Sequence, residues 1–153
     1  MTSRISHTSV DARNAYAQSV WWGQVLGWSE DPEDPNEPGH EECLLFAPEG
    51  RSRLLFIQQG GDPPHPPGKT TIEVPEPKST KNRLHLDLRP VEGTRDDEVA
   101  RLLALGATQV GDHRRPDGGG WATLADPEGT VFCVLRGDAE APDPHAHLVT
   151  PLR

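Results

Sequence analysis

The 153-residue chain is poor in most of what builds a large hydrophobic core. Apolar residues make up 33% and aromatic residues 5%, with one methionine and one tyrosine. That composition does not fill two independent cores, so one domain, or two fused halves sharing a core, is expected. No apolar run is long enough to span a bilayer, and the N-terminus lacks a signal-peptide core. There are two cysteines, Cys43 and Cys133, far apart and each beside apolar residues. A disulfide scaffold is thereby excluded, and buried thiols in a reducing cytoplasm are expected. Positive charge is also scarce: 15 Lys and Arg face 24 Asp and Glu, a formal net charge of −9. Nucleic acid and anionic membranes need a basic surface, so neither is expected as a partner.

What is plentiful is proline and glycine, sixteen and fifteen residues. They concentrate in 29–42, an acidic proline-rich segment, and in 60–69, a proline-rich turn or linker barred from any central strand. The core must then come from short runs: Val20-Trp21-Trp22, Leu44–Phe46, Leu54–Ile57, Leu102-Leu103 and Val131–Leu135.

The chain also repeats. Arg4–Asp11 and Asn82–Arg89 each read as a strand carrying a histidine, His7 and His85, 78 residues apart. The Leu-Gly pairs that close the following segments, Leu26-Gly27 and Leu105-Gly106, are 79 apart. A fixed offset is the mark of an internal duplication. Helical spacing predicts helices over 12–26 and 95–105, the first with Tyr16, Val20 and Gly23 plus Trp22, Val25 and Leu26, the second with Val99, Leu102 and Leu103 inward. Asp11 or Asn14 can cap the first helix, while Gly27 and Gly106 are stops. Strands are expected at 44–47, 53–58, 70–74, from 108, at 121–125 and at 130–136. Each half thus reads strand, helix, then about three strands. The expected fold class is α+β, two tandem βαβββ modules forming a curved mixed sheet around a cleft, helices outside. The expected single domain spans 1–153, with module one about 4–74, an insertion about 59–69, module two about 81–136 and a mobile tail over 137–153.

Alternate residues of a strand share a face, so His7, Ser9 and Asp11 project together, as do His85, Asp87 and Arg89. Two such faces can close on one site. Asp87 by spacing alone is no ligand partner of His85; it can orient an imidazole, bind substrate, or pair with Arg83 or Arg89. Cys133 lies between Phe132 and Val134 and reads first as core. Trp121 follows Gly118-Gly119-Gly120, expected to be a mobile loop, and can line a cleft mouth or the core. No helix follows those glycines, so they are not a phosphate cradle. A Ser9, His7, Asp87 triad lacks the strained nucleophile turn such chemistry uses.

The chain resembles the vicinal oxygen chelate superfamily, and within it the bacterial glyoxalase-like, bleomycin-resistance and dioxygenase type. The residues that carry this are His7-Thr8 with Val10-Asp11, Trp21–Gly27, Val74–Lys78, Lys81–Leu88, Leu105–Ala107, and Trp121 through Asp126-Pro127-Glu128-Gly129 to Cys133. The resemblance implies a divalent ion held by one side chain from the first and one from the last strand of each module. His7 and His85 match the first-strand ligands. The first module's last-strand place falls to Gln58 or, if the proline-rich segment is an insertion, to Glu73, which would also be the catalytic carboxylate. In the second module Cys133 stands where metal-dependent glyoxalases carry Glu. The resemblance therefore implies metal ligands His7, His85 and Glu73, an ion such as zinc, nickel or iron, and a cleft lined by Ser9, Asp11, Gln58, Asp87, Trp121 and Cys133. It implies a small-molecule ligand or substrate and a metal-dependent lyase, isomerase or dioxygenase. A metal-free protein that binds antibiotic-type molecules is the alternative. Homodimers are common in that superfamily, and two modules in one chain also permit a one-chain site.

Overall fold

The computed structural model describes Thr2, residues 4–59 and residues 82–142. The chain divides into two compact units, Met1–Ser79 and Thr80–Arg153. It has an α+β fold of tandem modules with two mixed sheets. The expected strand at 70–74, the segment at 60–69 and Glu73 lie outside the described residues.

In the first unit, strand β1 (Thr8–Ala12) leads into helix α1 (Ala15–Leu26), followed by strands β2 (Glu42–Phe46) and β3 (Arg53–Gln58). The sheet order is β1-β3-β2, with β1 parallel and β2 antiparallel to β3. Leu54 and Phe56 alternate inward on β3, Cys43 and Leu45 on β2. Asn14 caps α1 by accepting from the Ala17 amide at 2.9 Å. Gln58, from β3, adds a second cap: its Oε1 accepts from Ala15 N at 2.8 Å, and its Nε2 donates to the Arg13 carbonyl. Gly27 ends the helix in the left-handed region.

The inward stripe of α1 differs from the one expected. It is Ala15, Gln18, Ser19, Trp22 and Val25, with Trp21 also buried, while Val20 is 43% exposed. Two polar residues sit on the buried face, which the apolar pattern could not show. Ser19 is tolerated there because its hydroxyl donates to the Tyr16 carbonyl at 2.8 Å.

Of the acidic segment 29–42, residues 29–41 contain no strand and Glu42 opens β2. It is tied to β2 by Asn36, whose side-chain amide exchanges two 3.0 Å hydrogen bonds with the Leu44 backbone. A Ser29–Phe46 bridge completes the attachment.

The second unit runs β4 (Leu86–Leu88), α2 (Arg95–Ala104), β5 (Thr108–Asp112), β6 (Ala122–Ala125) and β7 (Val131–Val134). This is the full βαβββ order, in a sheet β4-β7-β6-β5 with β4 parallel to β7. The duplication is visible in the register. Thr8 faces Leu54 in the first sheet, and Leu86 faces Phe132 in the second, both members displaced by 78 residues. Thr94 and Asp97 form a reciprocal capping box on α2. Phe132, Val134, Ala122 and Leu124 are fully buried on one face of the sheet, with Val99 and Leu102 of α2 also buried. Leu103, expected inward, is 39% exposed, because it falls outside the arc set by Val99 and Leu102.

Two segments expected to be mobile make defined contacts within the described residues. The triple-glycine segment is held in place. Arg95, 5% exposed, directs Nη1 at the carbonyls of Gly118, Gly119 and Gly120 at 3.3, 3.0 and 3.0 Å. Three carbonyls offset the burial of its charge. Gly120 has φ +78°, and a Cβ there would stand 1.9 Å from the His113 carbonyl oxygen, so no other residue fits this backbone. The tail, expected to lose fixed structure at Gly137, keeps contacts through Ala141. Arg89 pairs with Asp138 at 2.9 Å and donates to the Ala141 carbonyl; Glu140 accepts from Arg95 N at 2.6 Å.

Candidate metal centre

The side chains of His85, Asp87 and Cys133 meet on the second sheet. Parallel pairing of β4 with β7 sets Asp87 directly beside Cys133. His85 immediately precedes β4 and shares Asp87's parity, so both lie on one face. One potential ligand atom from each residue lies within 4.8 Å of the other two. His85 Nε2 and Asp87 Oδ1 are 3.3 Å apart. The next residue in the row is Thr123, paired with Cys133 across β6 and β7, its Oγ1 3.7 Å from the sulfur.

This donor set fits a divalent ion. Imidazole, carboxylate and thiolate are all zinc ligands, at bond lengths of about 2.0–2.3 Å. Ligand atoms around such an ion are separated by roughly 3.3–3.8 Å in tetrahedral geometry, a range that the 3.3 Å His85–Asp87 separation meets. His85 and Asp87 are partly open to solvent, while Cys133 is 7% exposed. The arrangement therefore has a buried soft donor at its base and two harder donors at its rim. An ion held so would supply Lewis acidity to a ligand oxygen.

The other residues singled out by sequence fall as follows. His7 is exposed just before β1, its Nδ1 3.2 Å from the Ser6 hydroxyl. Ser9 and Asp11 are exposed on β1, and Asp11 Oδ1 accepts from Gln59 Nε2 at 3.1 Å. Gln58 is buried, with both ends of its amide engaged at the start of α1. Arg89, expected as one partner of Asp87, is drawn away to Asp138, and Asp87 pairs with His85 instead. Trp121 is exposed and stacks on His113, ring centroids 4.9 Å apart at 33°.

Sequence reasoning passed over Thr123 and His113, and set Asp87 aside as a ligand partner. Asp87 had a local signal in its His-x-Asp spacing. Thr123 and His113 had none, because strand pairing alone brings them to this face.

Elsewhere in the unit, salt bridges stiffen the rim. Arg114 spans Asp112 at 2.6 Å and Asp96 at 3.0 Å. Its hydrogen bonds hold both carboxyls below their usual range. In the first unit, burial pushes the Cys43 thiol up, opposed by its side-chain hydrogen bonding with Ser19.

The glyoxalase-like domain family matches residues 7–135. Among solved structures, the fold resembles a fosfomycin resistance protein, FosX, from Listeria monocytogenes (TM-score 0.57, 14% identity, 97% of this chain and 99% of that one). It also resembles lactoylglutathione lyase from Agrobacterium tumefaciens (0.54, 18%, 92% and 98%). A glyoxalase/bleomycin resistance protein/dioxygenase family enzyme from Burkholderia phytofirmans is similar too (0.54, 22%, 84% and 94%). No curated protein matches the chain. Among the described residues no helix is long and apolar enough to cross a membrane.

Proposed function

This chain belongs to the glyoxalase-like domain family, in the vicinal oxygen chelate superfamily, and we propose that it binds a divalent metal through His85, Asp87 and Cys133 and uses it to hold a small oxygen-bearing molecule. The carrying observation is the gathering of those three donors within 4.8 Å. The fosfomycin resistance structure was solved with Mn(II) and a dihydroxypropylphosphonic acid, a molecule with adjacent oxygens. In this chain a thiolate at Cys133 shifts the preference toward zinc, nickel or iron(II). The reaction class that follows is a lyase, isomerase or dioxygenase step on a substrate bound through adjacent oxygens.

The test is direct. Protein prepared without chelator is titrated with Zn(II), Ni(II) and Co(II) by calorimetry, with Co(II) also followed through its thiolate absorption. One equivalent is expected to bind, with the Cys133 thiol protected from alkylation. His85→Ala and Cys133→Ser each weaken binding about 10–100-fold or more. Absence of uptake, or uptake indifferent to both substitutions, defeats the proposal. Absence of uptake together with tight binding of a bulky antibiotic-type cation would support the metal-free alternative.

A further inference from the structure

The face that carries the metal-binding group does not end at Cys133. Pairing across the sheet sets Asp87, Cys133, Thr123 and Gly111 in one row. Gly111 has no side chain, and the space above it is taken by an imidazole. A Cβ on Gly111 would stand 3.2 Å from His113 Nε2, 3.4 Å from Thr123 Cβ and 3.6 Å from Thr123 Oγ1. His113 therefore folds back over Gly111 and lies beside Thr123, which in turn touches the sulfur of Cys133.

Trp121 extends the same face. It shares Thr123's parity and sits one same-face step along the strand, about 6.8 Å away by strand rise. The backbone joins it to His113, whose N–H donates to the Trp121 carbonyl at 2.9 Å. Its ring leans on the imidazole, yet the residue remains 41% exposed. Indole and imidazole together present flat ring surface on this face. The loop between the two rings is built to hold them. Arg95 clamps its three glycine carbonyls, Asp117 Oδ1 accepts from Gly119 N at 2.8 Å, and Arg115 N donates to Gly119 O at 3.0 Å.

We propose that Trp121 and His113 form a preorganised platform for the body of the ligand whose oxygen-bearing head meets the His85, Asp87 and Cys133 group. The ligand class that fits is a planar, apolar or aromatic body joined directly to a chelating pair of oxygens. Thr123 stands between the two regions and offers a hydroxyl to the join. The inference rests on the metal-binding reading and goes beyond it, since the platform sets which body is preferred. Neither ring is assigned a part in catalysis; both act by positioning.

Two probes that share one chelating head separate the regions. Acetohydroxamate carries a methyl group and benzohydroxamate a phenyl ring on the same pair of oxygens. Calorimetry on the full chain loaded with Zn(II) is expected to show benzohydroxamate binding about tenfold tighter. Trp121→Ala abolishes that preference, leaving zinc and acetohydroxamate affinities unchanged. Trp121→Phe, which keeps a flat ring, restores most of it. Gly111→Ala pushes the imidazole off its seat and reduces the preference several-fold. Equal binding of the two probes by the unaltered chain, or a preference that survives Trp121→Ala, overturns the platform while leaving the metal reading intact. Failure of zinc to bind the unaltered chain overturns both.

Discussion

The two units share a frame and differ in what they hang on it. In the first sheet Ser9 pairs with Leu55; in the second, 78 residues on, Asp87 pairs with Cys133. The backbone register is the same, but a hydroxyl and an aliphatic chain stand where the second unit has a carboxylate and a thiol. The second strand of the βαβββ order is present as β5 in the second unit, whereas residues 29–41 of the first hold no strand. Backbone pairing constrains a duplicated fold strongly, while the outward side chains are free to diverge. Shared frame thus carries the fold, and unshared side chains carry the candidate site.

The units also start their helices differently. α2 is capped locally, by Thr94 and Asp97 three residues apart. α1 uses Asn14 and then borrows Gln58 from a strand more than forty residues away. The first arrangement is legible in a short window, and the second needs the sheet to be formed first.

The largest effect that can sharpen this comparison lies in the cores. Leu54 and Phe132 occupy equivalent places and are both buried. Phe132→Ala is expected to destabilise by about 3–5 kcal/mol and Leu54→Ala by about 2–5 kcal/mol, read by chemical denaturation. A loss under 1 kcal/mol at either place would contradict equivalent packing.

Next come the helix starts. Gln58→Leu strips the buried Ala15 amide and the Arg13 carbonyl of this partner, so a cost of about 1–3 kcal/mol is expected. Thr94→Ala removes an exposed cap, at about 1 kcal/mol. The same denaturation experiment ranks them, and a larger loss for Thr94→Ala would refute the idea that α1 depends on the strand.

The smallest effect is acid sensitivity in the second unit. Asp96, Asp97, Asp112 and Asp117 all hold their protons more weakly when folded than the ordinary carboxyl value of 3.8. The largest causes are hydrogen bonds from Arg114 for Asp96 and Asp112, from Thr94 for Asp97 and from the Gly119 amide for Asp117. Depressed values mean that ionisation favours the folded state. That contribution is complete above pH 3.8 and drains away as the pH falls below it through the folded values. These groups are exposed, so the slope is expected to be shallow. Asp112→Asn should flatten it further in an acid titration of stability; an unchanged slope would show that the Arg114 contact contributes nothing.

Much of the frame was legible in advance. The repeated histidine strands, the Leu-Gly stops and the Asp-Pro-Glu-Gly turn placed the modules and the superfamily, because strand alternation, helix stops and turns are local properties. The site was legible in pieces. His85 was marked by the repeat and Cys133 by its place after the turn. Their meeting with Asp87 depends on which strands pair, and the partners of Trp121 depend on where a glycine leaves room.

By itself, then, the order of residues determined the duplication, the α+β class, the acidic balance and the helix stops, since each is read from composition or from neighbours a few positions apart. Only the tertiary structure decided that Asp87 joins His85 and Cys133, that Arg95 clamps the glycine loop, and that His113 lies over Gly111. Those contacts join residues brought together by sheet pairing and packing, and their distances in space bear no fixed relation to their distances along the chain.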